Sequence, residues 1–151
     1  DPLTSRLAGL HAGFRCLLPE KRRNQRPPSI IHRLFGEFGF VPSNCLVFYG
    51  FGVGPCCYGS AHWRDELQDF SLNLQVGRVT RCQNRIGQQS IDLYELIRVQ
   101  LEEEGVPSKN IYSEKTCTSC ADTQFPSERT YYSRCRDGPN LGRNAAVLWY
   151  E

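Results

Sequence analysis

The clearest structural signal in the chain is the stretch 90–107, which reads SIDLYELIRVQLEEEGVP. Its apolar residues recur at helical spacing, and the expected core stripe consists of Leu93, Leu96, Ile97 and Leu101. Ser90 is expected to cap a helix that begins at Ile91. Gly105 is expected to end this helix near Glu104, because glycine readily adopts the left-handed conformation that follows a last helical turn. The stretch therefore predicts a buried amphipathic helix late in the chain.

Strand-like segments lie on both sides of this helix. Strands are expected at 6–10, 45–49, 76–82, 110–117 and 145–150. A second helix is expected to be capped by Ser29, to end at Gly39 and to bury Ile31, Leu34, Phe35 and Phe38. A shorter helix is expected after Ser60. Because helices and strands interleave and no repeat is visible, the pattern favours a single domain of the α/β or α+β class.

The composition is that of an ordinary globular protein. The chain has 151 residues, of which 40% are hydrophobic and 23% charged, and this balance argues against disorder. A net charge of +2 is too small to indicate nucleic acid or a membrane surface as a partner. No apolar run approaches the roughly 18 residues of a membrane span. We therefore expect neither a nucleic-acid partner nor a membrane partner.

The chain contains no Met, so we expect Asp1-Pro2 to follow from processing or to lie inside a longer protein. Its eight cysteines are interpreted as reduced thiols in the cytoplasm, because disulfide-dense secreted scaffolds are usually shorter. Cys117-Thr118-Ser119-Cys120 has the spacing of a zinc knuckle or a redox motif. No second Cys-x-x-Cys or His-x-x-x-His pair accompanies it, and the adjacent Cys56-Cys57 is interpreted as a pair of buried structural thiols.

A histidine marks the most readable candidate site. His11 lies between the strand expected at 6–10 and a turn at Gly13, a frequent location for catalytic and metal-binding side chains. Arg15 is a candidate for holding an anion such as phosphate. A loop histidine and a surface arginine without a function are the alternatives. The three histidines of the chain are too few for a multi-copper cluster, which excludes copper oxidase chemistry for this chain alone.

Residues 11–16 read His-Ala-Gly-Phe-Arg-Cys, and 53–58 read Val-Gly-Pro-Cys-Cys-Tyr. In chain order, these and further segments resemble motifs of the YfiH-type family, also called laccase-domain proteins and regarded as purine nucleoside phosphorylases. Residues 11–16 resemble the family signature His-Ala-Gly-Trp-Arg-Gly, and 53–58 resemble Ile-Gly-Pro-Cys-Cys-Tyr. Further resemblances lie at 91–93, 105–106, 117–118, 131–138 and 142–143. The segments 117–120 and 136–138 look most like the vertebrate members. Together the matches span nearly the whole chain.

The resemblance implies an α+β fold, a four-layer α/β/β/α sandwich of two mixed sheets, truncated at the N-terminus. Residues 1–151 would be the C-terminal portion of a single domain. The implied activity is phosphorolysis of adenosine, inosine or methylthioadenosine with inorganic phosphate as co-substrate, and adenosine deamination belongs to the same family. The implied site uses two histidines and one cysteine, often around zinc. His11 matches one of the three, and the other two are expected upstream of Asp1.

Each candidate residue has an implied role. His11 would be a catalytic base or zinc ligand, Arg15 would be catalytic and bind phosphate, and Arg136 is a second phosphate candidate. Cys16 stands where the family signature has glycine, and Arg134-Cys135 stands where Tyr-Arg is expected. Because the other two side chains of the implied site are expected upstream of Asp1, the isolated chain is expected to lack catalysis. Two alternatives stay open: a non-catalytic scaffold that retains the fold, and a zinc or redox module built on the Cys-x-x-Cys motif.

Overall fold

The fold was obtained as a computed structural model, which describes residues 6–17, 29–59, 80–81, 90–120, 131 and 133. Its helices are α1 (Phe14–Leu17), α2 (Ile30–Phe38) and α3 (Leu93–Glu103). Its strands are β1 (Val47–Gly50), β2 (Thr80–Arg81), β3 (Ser90–Ile91) and β4 (Ile111–Glu114). Short 3₁₀ turns at Pro42–Asn44 and Ser108–Asn110 lead into β1 and β4.

The helix expected at 90–107 is α3, and its N-terminus differs from the prediction. The Asp92 carboxylate accepts hydrogen bonds from the backbone N–H groups of Tyr94 and Glu95, at 3.1 and 3.2 Å. Asp92 is therefore the cap, and the prediction of Ser90 was wrong. The reason is that Ser90 already pairs as a strand residue in β3, so the first helical turn begins two residues later. Gly105, at φ 94°, follows the helix as expected.

The helix expected after Ser29 is α2. The Ser29 hydroxyl accepts the backbone N–H of His32 at 3.3 Å, and Gly39 adopts a left-handed conformation at φ 66°, so both ends are confirmed. Ile31 and Phe35 are buried, whereas Phe38 is 53% exposed. The apolar face of α2 is thus buried at Ile31 and Phe35 but exposed at its C-terminal end, at Phe38.

Two small sheets of opposite type justify the α+β class. Strands β1 and β4 pair in parallel, with Val47 opposite Ile111 and Gly50 opposite Glu114, and β2 pairs with β3 in antiparallel fashion. On one face of the parallel pair, Phe48 and Tyr112 stack with ring centroids 4.9 Å apart and are exposed. The opposite face packs on the core, which is why the side chains alternate along β1.

The core is centred on α3. Its buried hydrophobic members are Leu17, Ile31, Phe35, Cys45, Ile91, Leu96, Val99, Leu101 and Val106. The Gln100 side-chain amide donates a hydrogen bond to the Leu17 carbonyl at 2.6 Å and so ties α1 to α3. Among the described residues, no helix is both long enough and apolar enough to cross a membrane.

The segment 6–10, which was expected to be a buried strand, is irregular and exposed. It lies along α2 instead, where Arg6 donates a hydrogen bond to the Phe38 carbonyl at 2.5 Å and stacks its guanidinium over the Phe40 ring. Arg6 therefore attaches the segment to the end of α2, while Leu7 and Leu10 stay exposed and do not pair with one of the described strands. The strand expected at 145–150 and the helix expected after Ser60 lie outside the described residues.

Candidate functional site

The parallel pairing of β1 with β4 brings two cysteine-bearing segments to one edge. Parallel strands run in the same direction, so both carboxyl ends lie on the same side of the sheet. The last residues of the two strands, Gly50 and Glu114, are opposite each other. The segment after β1 contains Cys56 and Cys57, and the segment after β4 contains Cys117 and Cys120. The topology therefore places four cysteines together that lie far apart in the sequence.

Two glycines make this close approach sterically feasible. A Cβ atom on Gly50 would lie 2.7 Å from the carbonyl oxygen of Glu114, a distance that real side chains do not tolerate. A Cβ on Gly54 would lie 3.0 Å from the Cys117 Cβ and 3.5 Å from the sulfurs of Cys117 and Cys56. The backbone N–H groups of Cys57 and Tyr58 both donate to the Gly54 carbonyl at 3.0 Å and close the turn.

Tyr94, in the first turn of α3, holds the two segments against each other. Its hydroxyl lies 3.0 Å from the carbonyl oxygens of Gly52 and Thr116 and accepts the Gly52 N–H at 3.0 Å. The Gly52 carbonyl also accepts the backbone N–H of Thr118 at 3.0 Å. The hydroxyl of the buried Tyr94 thus links the two cysteine-bearing segments by hydrogen bonds. Helical spacing predicted α3 but gave no signal for this contact.

The sulfur atoms of four cysteines lie close together. The Sγ atoms of Cys56, Cys57, Cys117 and Cys120 all lie within 4.8 Å of one another, and we call this group the thiol cluster. The Cys56 and Cys120 sulfurs are 3.4 Å apart. Cys117 is buried and the other three are half-buried. No disulfide joins the six cysteines in the part of the chain that the structure describes.

The thiols of the cluster differ in acidity. Burial raises the pKa of Cys56 and of Cys120 above the ordinary thiol value, and the hydrogen bonds of Cys56 with Cys120 and Cys117 add to the rise in the pKa of Cys56. Burial is also the largest influence on Cys117 and acts to raise its pKa. Hydrogen bonds from the backbone of Gly54 and Ser119 and from the neighbouring thiols outweigh it, so the pKa of Cys117 is lowered. Among Cys56, Cys117 and Cys120, Cys117 is therefore the thiol that ionises most readily.

The thiol cluster corrects one interpretation of the sequence. The motif Cys117-Thr118-Ser119-Cys120 lacked a second pair of ligands, and Cys56-Cys57 was not expected to supply one. The structure supplies that pair because the turn at Gly54 and the parallel pairing of β1 with β4 bring it alongside. The available signal was that each cysteine motif follows a strand-like segment, but the sequence does not show that those two strands are neighbours.

The other candidate residues are not brought into this cluster. His11 lies exposed in the segment that leads into α1, and Arg15 is part of the α1 backbone. Arg136 lies outside the described residues. Among the described residues, the groups of three or more His, Cys, Asp or Glu side chains close enough to hold a metal do not include His11. The described residues therefore do not fit a zinc ion at His11, and no chemical step is assigned to one there.

Comparison with known proteins defines the class. The family model described as multi-copper polyphenol oxidoreductase laccase matches residues 1–151, and the chain belongs to this family. Among curated relatives, purine nucleoside phosphorylase YlmD of Geobacillus stearothermophilus is 34% identical over 111 residues, which is 72% of this chain and 37% of that protein. Human purine nucleoside phosphorylase LACC1 is 27% identical over 152 residues, 98% of this chain and 32% of that protein. The chain thus spans about a third of the length of these relatives.

Two solved structures share the fold. The hypothetical protein YfiH of Bacillus licheniformis superposes with a TM-score of 0.53 at 23% identity, over 72% of this chain and 39% of that one. YlmD of Geobacillus stearothermophilus superposes with a TM-score of 0.52 at 30% identity, over 72% of this chain and 37% of that one. The YfiH-type relationship inferred from the motifs is confirmed.

Proposed function

We propose that this chain is the C-terminal portion of a single catalytic domain, with the four-layer α/β/β/α sandwich of its family, in an enzyme that cleaves purine nucleosides with phosphate. The observation that carries the proposal is the match of the family over residues 1–151 together with two curated relatives named as purine nucleoside phosphorylases. The description of the family as multi-copper does not suit this chain, since its three histidines are too few for such a cluster.

The proposed reaction is nucleophilic displacement at the ribose. A phosphate oxygen bonds to C1′ as the bond from C1′ to the purine nitrogen breaks, and the base leaves with the electron pair and takes up a proton. The products are a free purine base and ribose 1-phosphate. This reaction needs a cationic phosphate site and stabilisation of an oxocarbenium-like ribosyl group. We assign the phosphate to Arg15 first and to Arg136 second.

His11 is proposed as a catalytic base or as a zinc ligand that is completed by groups from outside the described residues. Its exposure supports this role, because an exposed imidazole is accessible both to a substrate and to ligands from elsewhere. Adenosine deamination is the second proposed activity. The proposed substrates are adenosine, inosine and methylthioadenosine, and the proposed location is the cytoplasm.

The 151-residue chain by itself is proposed to be inactive. It offers His11 as one of the three side chains that the family site uses, and Cys16 replaces the glycine that follows Arg15 in the family signature. The alternative is a scaffold that keeps the fold without catalysis. Departures from the family pattern at Cys16 and at 134–135 favour this alternative, and turnover by the longer protein decides between the two.

The test is to incubate the proposed longer protein that contains this chain with adenosine, inosine or methylthioadenosine, each with and without inorganic phosphate. Chromatography then follows the free bases, inosine and the sugar 1-phosphates. Phosphorolysis requires phosphate and yields ribose 1-phosphate, whereas deamination proceeds without phosphate and yields inosine. We expect phosphate-dependent release of the base. No turnover of any of the three nucleosides would contradict the enzyme proposal and support the scaffold.

The matched variants are His11→Ala and His32→Ala. His32 is also exposed, but it lies in α2 with its Nδ1 2.6 Å from a Glu104 carboxylate oxygen. Loss of a general acid or base costs about 10²–10⁴-fold in rate, so we expect at least a hundredfold loss for His11→Ala. His32→Ala should keep the wild-type rate. Equal activity of the two variants would remove His11 from the site.

A further inference from the structure

We infer that Cys56, Cys57, Cys117 and Cys120 form a structural zinc site in which all four ligands come from this chain. The inference does not depend on the proposed function, because the thiol cluster shares no residue with the site assigned to nucleoside cleavage. It concerns a tetrathiolate centre that joins the segment after β1 to the segment after β4.

The distances between the sulfurs suit one tetrahedral ion. A Zn–S bond is about 2.3 Å long, so the four sulfurs of a tetrahedral site lie about 3.8 Å apart. The sulfurs of the thiol cluster all lie within 4.8 Å of one another, and the Cys56–Cys120 pair is 3.4 Å apart. Bringing the group to ideal geometry requires shifts of about an ångström or less, which side-chain rotations accommodate.

The chemistry of the donors also favours zinc. Four thiolates in tetrahedral array are the ligand set of structural zinc sites, and soft sulfur ligands disfavour magnesium or calcium. A disulfide between Cys56 and Cys120 is the competing arrangement. It would require an S–S distance of about 2.05 Å, and it would not explain why the sulfurs of Cys57 and Cys117 lie close to the same pair. A single ion accounts for all four sulfurs.

The backbone around Cys117 already has the form of a metal-binding turn. The Cys120 N–H donates to the Cys117 carbonyl at 3.3 Å, which closes the Cys-x-x-Cys turn. Backbone groups of Gly54 and Ser119 hydrogen-bond to the Cys117 sulfur. Groups that hydrogen-bond to a metal ligand fix its orientation. Gly54 has a second role, because the absence of a side chain there leaves room for the side chain of Cys117.

The site is assigned a structural role because its coordination is complete. A catalytic zinc keeps one position open for water or substrate, whereas four protein ligands close the site. The ion would link β1 to β4 at the edge where both strands end. Hydrogen bonds from Tyr94 and from the Thr118 N–H to the Gly52 carbonyl already join the same two segments. The metal would therefore stabilise an association of these two segments that their hydrogen bonds already establish.

The experiment uses the full 151-residue chain, purified under reducing conditions, with metal content measured by inductively coupled plasma mass spectrometry. We expect one zinc per chain. Replacement of zinc by Co²⁺ should give a thiolate-to-cobalt charge-transfer band and the d–d bands of a tetrahedral tetrathiolate. This spectrum is recorded on the wild-type chain, so it does not depend on whether any variant folds.

The variants then locate the ion. Cys57→Ser and Cys117→Ser should each lose the zinc, while Cys16→Ser, at an exposed cysteine outside the cluster, should keep it. Wild-type zinc content in Cys57→Ser and Cys117→Ser would overturn the assignment. So would iron in place of zinc, or a Cys56–Cys120 disulfide found by peptide mapping of chain alkylated at lysis.

Discussion

The two parts of the chain that carry candidate chemistry are built in opposite ways. The segment 6–17, which contains His11, is exposed along 6–11 and is irregular until α1 begins. The thiol cluster lies at the edge of a parallel strand pair and is buried at Cys117 and half-buried at its other three cysteines. Hydrogen bonds of Tyr94 to Gly52 and Thr116 join the two segments that carry it. The first stands out in the sequence, and the second does not.

The difference shows that a site that is easy to recognise in the sequence need not contain all of its functional groups, and that a site with all its groups can be hard to recognise. The motif around His11 is contiguous in the sequence, so its residues can be matched without knowing the fold, but the described residues supply no partners for a metal there. The thiol cluster is assembled from two segments 64 residues apart, measured from Cys56 to Cys120, so its meaning depends on the topology. A complete set of ligands can thus be formed by motifs that, like Cys56-Cys57 and Cys117–Cys120, indicate little when each is considered alone.

The largest expected effect comes from removing the metal of the thiol cluster. Zinc that binds the folded chain stabilises it by about 4 kcal/mol when free metal exceeds its Kd a thousandfold. A strong chelator should therefore lower the midpoint of thermal unfolding of the wild-type chain, and added zinc should restore it. The same treatment of Cys117→Ser should have no effect. A chelator-induced shift of equal size in that variant would place the stabilising metal elsewhere.

A smaller loss is expected for Tyr94→Phe, which removes the hydroxyl that links Gly52 to Thr116. Buried polar groups left without a partner cost about 1–3 kcal/mol. Urea denaturation should show a loss in this range, and the affinity for zinc should fall because the two segments lose a shared anchor. Tyr112→Phe is the control, since Tyr112 is exposed on the outer face of the β1–β4 pair. Equal stability losses in the two variants would show that the Tyr94 hydroxyl has no special role.

Two glycine replacements are expected to have opposite signs. Gly54→Ala places a methyl group 3.0 Å from the Cys117 Cβ and should cost about 1 kcal/mol and weaken zinc binding. Gly36→Ala adds the same methyl group within α2, where nothing lies within 4 Å, and should stabilise the chain by about 0.5–1 kcal/mol. Urea denaturation of both variants measures the difference. Stabilisation by Gly54→Ala would mean that the space beside Cys117 is larger than the structure shows.

The smallest effect on the fold is expected for His11→Ala. Substitutions at exposed positions away from special features change stability by about 0.5 kcal/mol or less. The 151-residue variant should therefore unfold like the wild type and keep the zinc of the thiol cluster, although the same substitution should lower turnover in the proposed longer enzyme. Unchanged stability with a large loss of turnover would distinguish His11 from the cysteines of the thiol cluster, whose replacement should lower stability. A marked loss of stability would instead make His11 a structural residue.

Local patterns predicted the fold well where a segment depends on itself. Ser29 and Gly39 were placed correctly at the ends of α2, because capping involves neighbours three or four residues away. Helix α3 was found from its apolar stripe, and its end at Gly105 was found too. Its start was misplaced, because Ser90 and Asp92 both suit a cap and only the pairing of Ser90 in β3 decides between them.

Patterns failed where a segment depends on a distant partner. The run 6–10 has the composition of a strand, yet Arg6 attaches it to the end of α2. The role of Cys56 and Cys57 was missed for the same reason, since it rests on the parallel register of β1 with β4. The motif around His11 could be matched to a family, but the sequence does not show the groups that complete it.

The parallel register of β1 with β4 has a consequence for how the chain folds. In the sequence, β2, β3 and α3 lie between the two strands, so β1 finds its partner only after residues 111–114 have been synthesised. Such distant pairing is intrinsically slow. Until then, the edge of β1 that receives β4 is open, with Phe48 beside it, and unpaired strand edges promote association between chains. Zinc captured by Cys117 and Cys120 as they join Cys56 and Cys57 would shorten that interval. In the cell, the supply of the metal would then influence how much of the chain reaches its native form before it meets another copy.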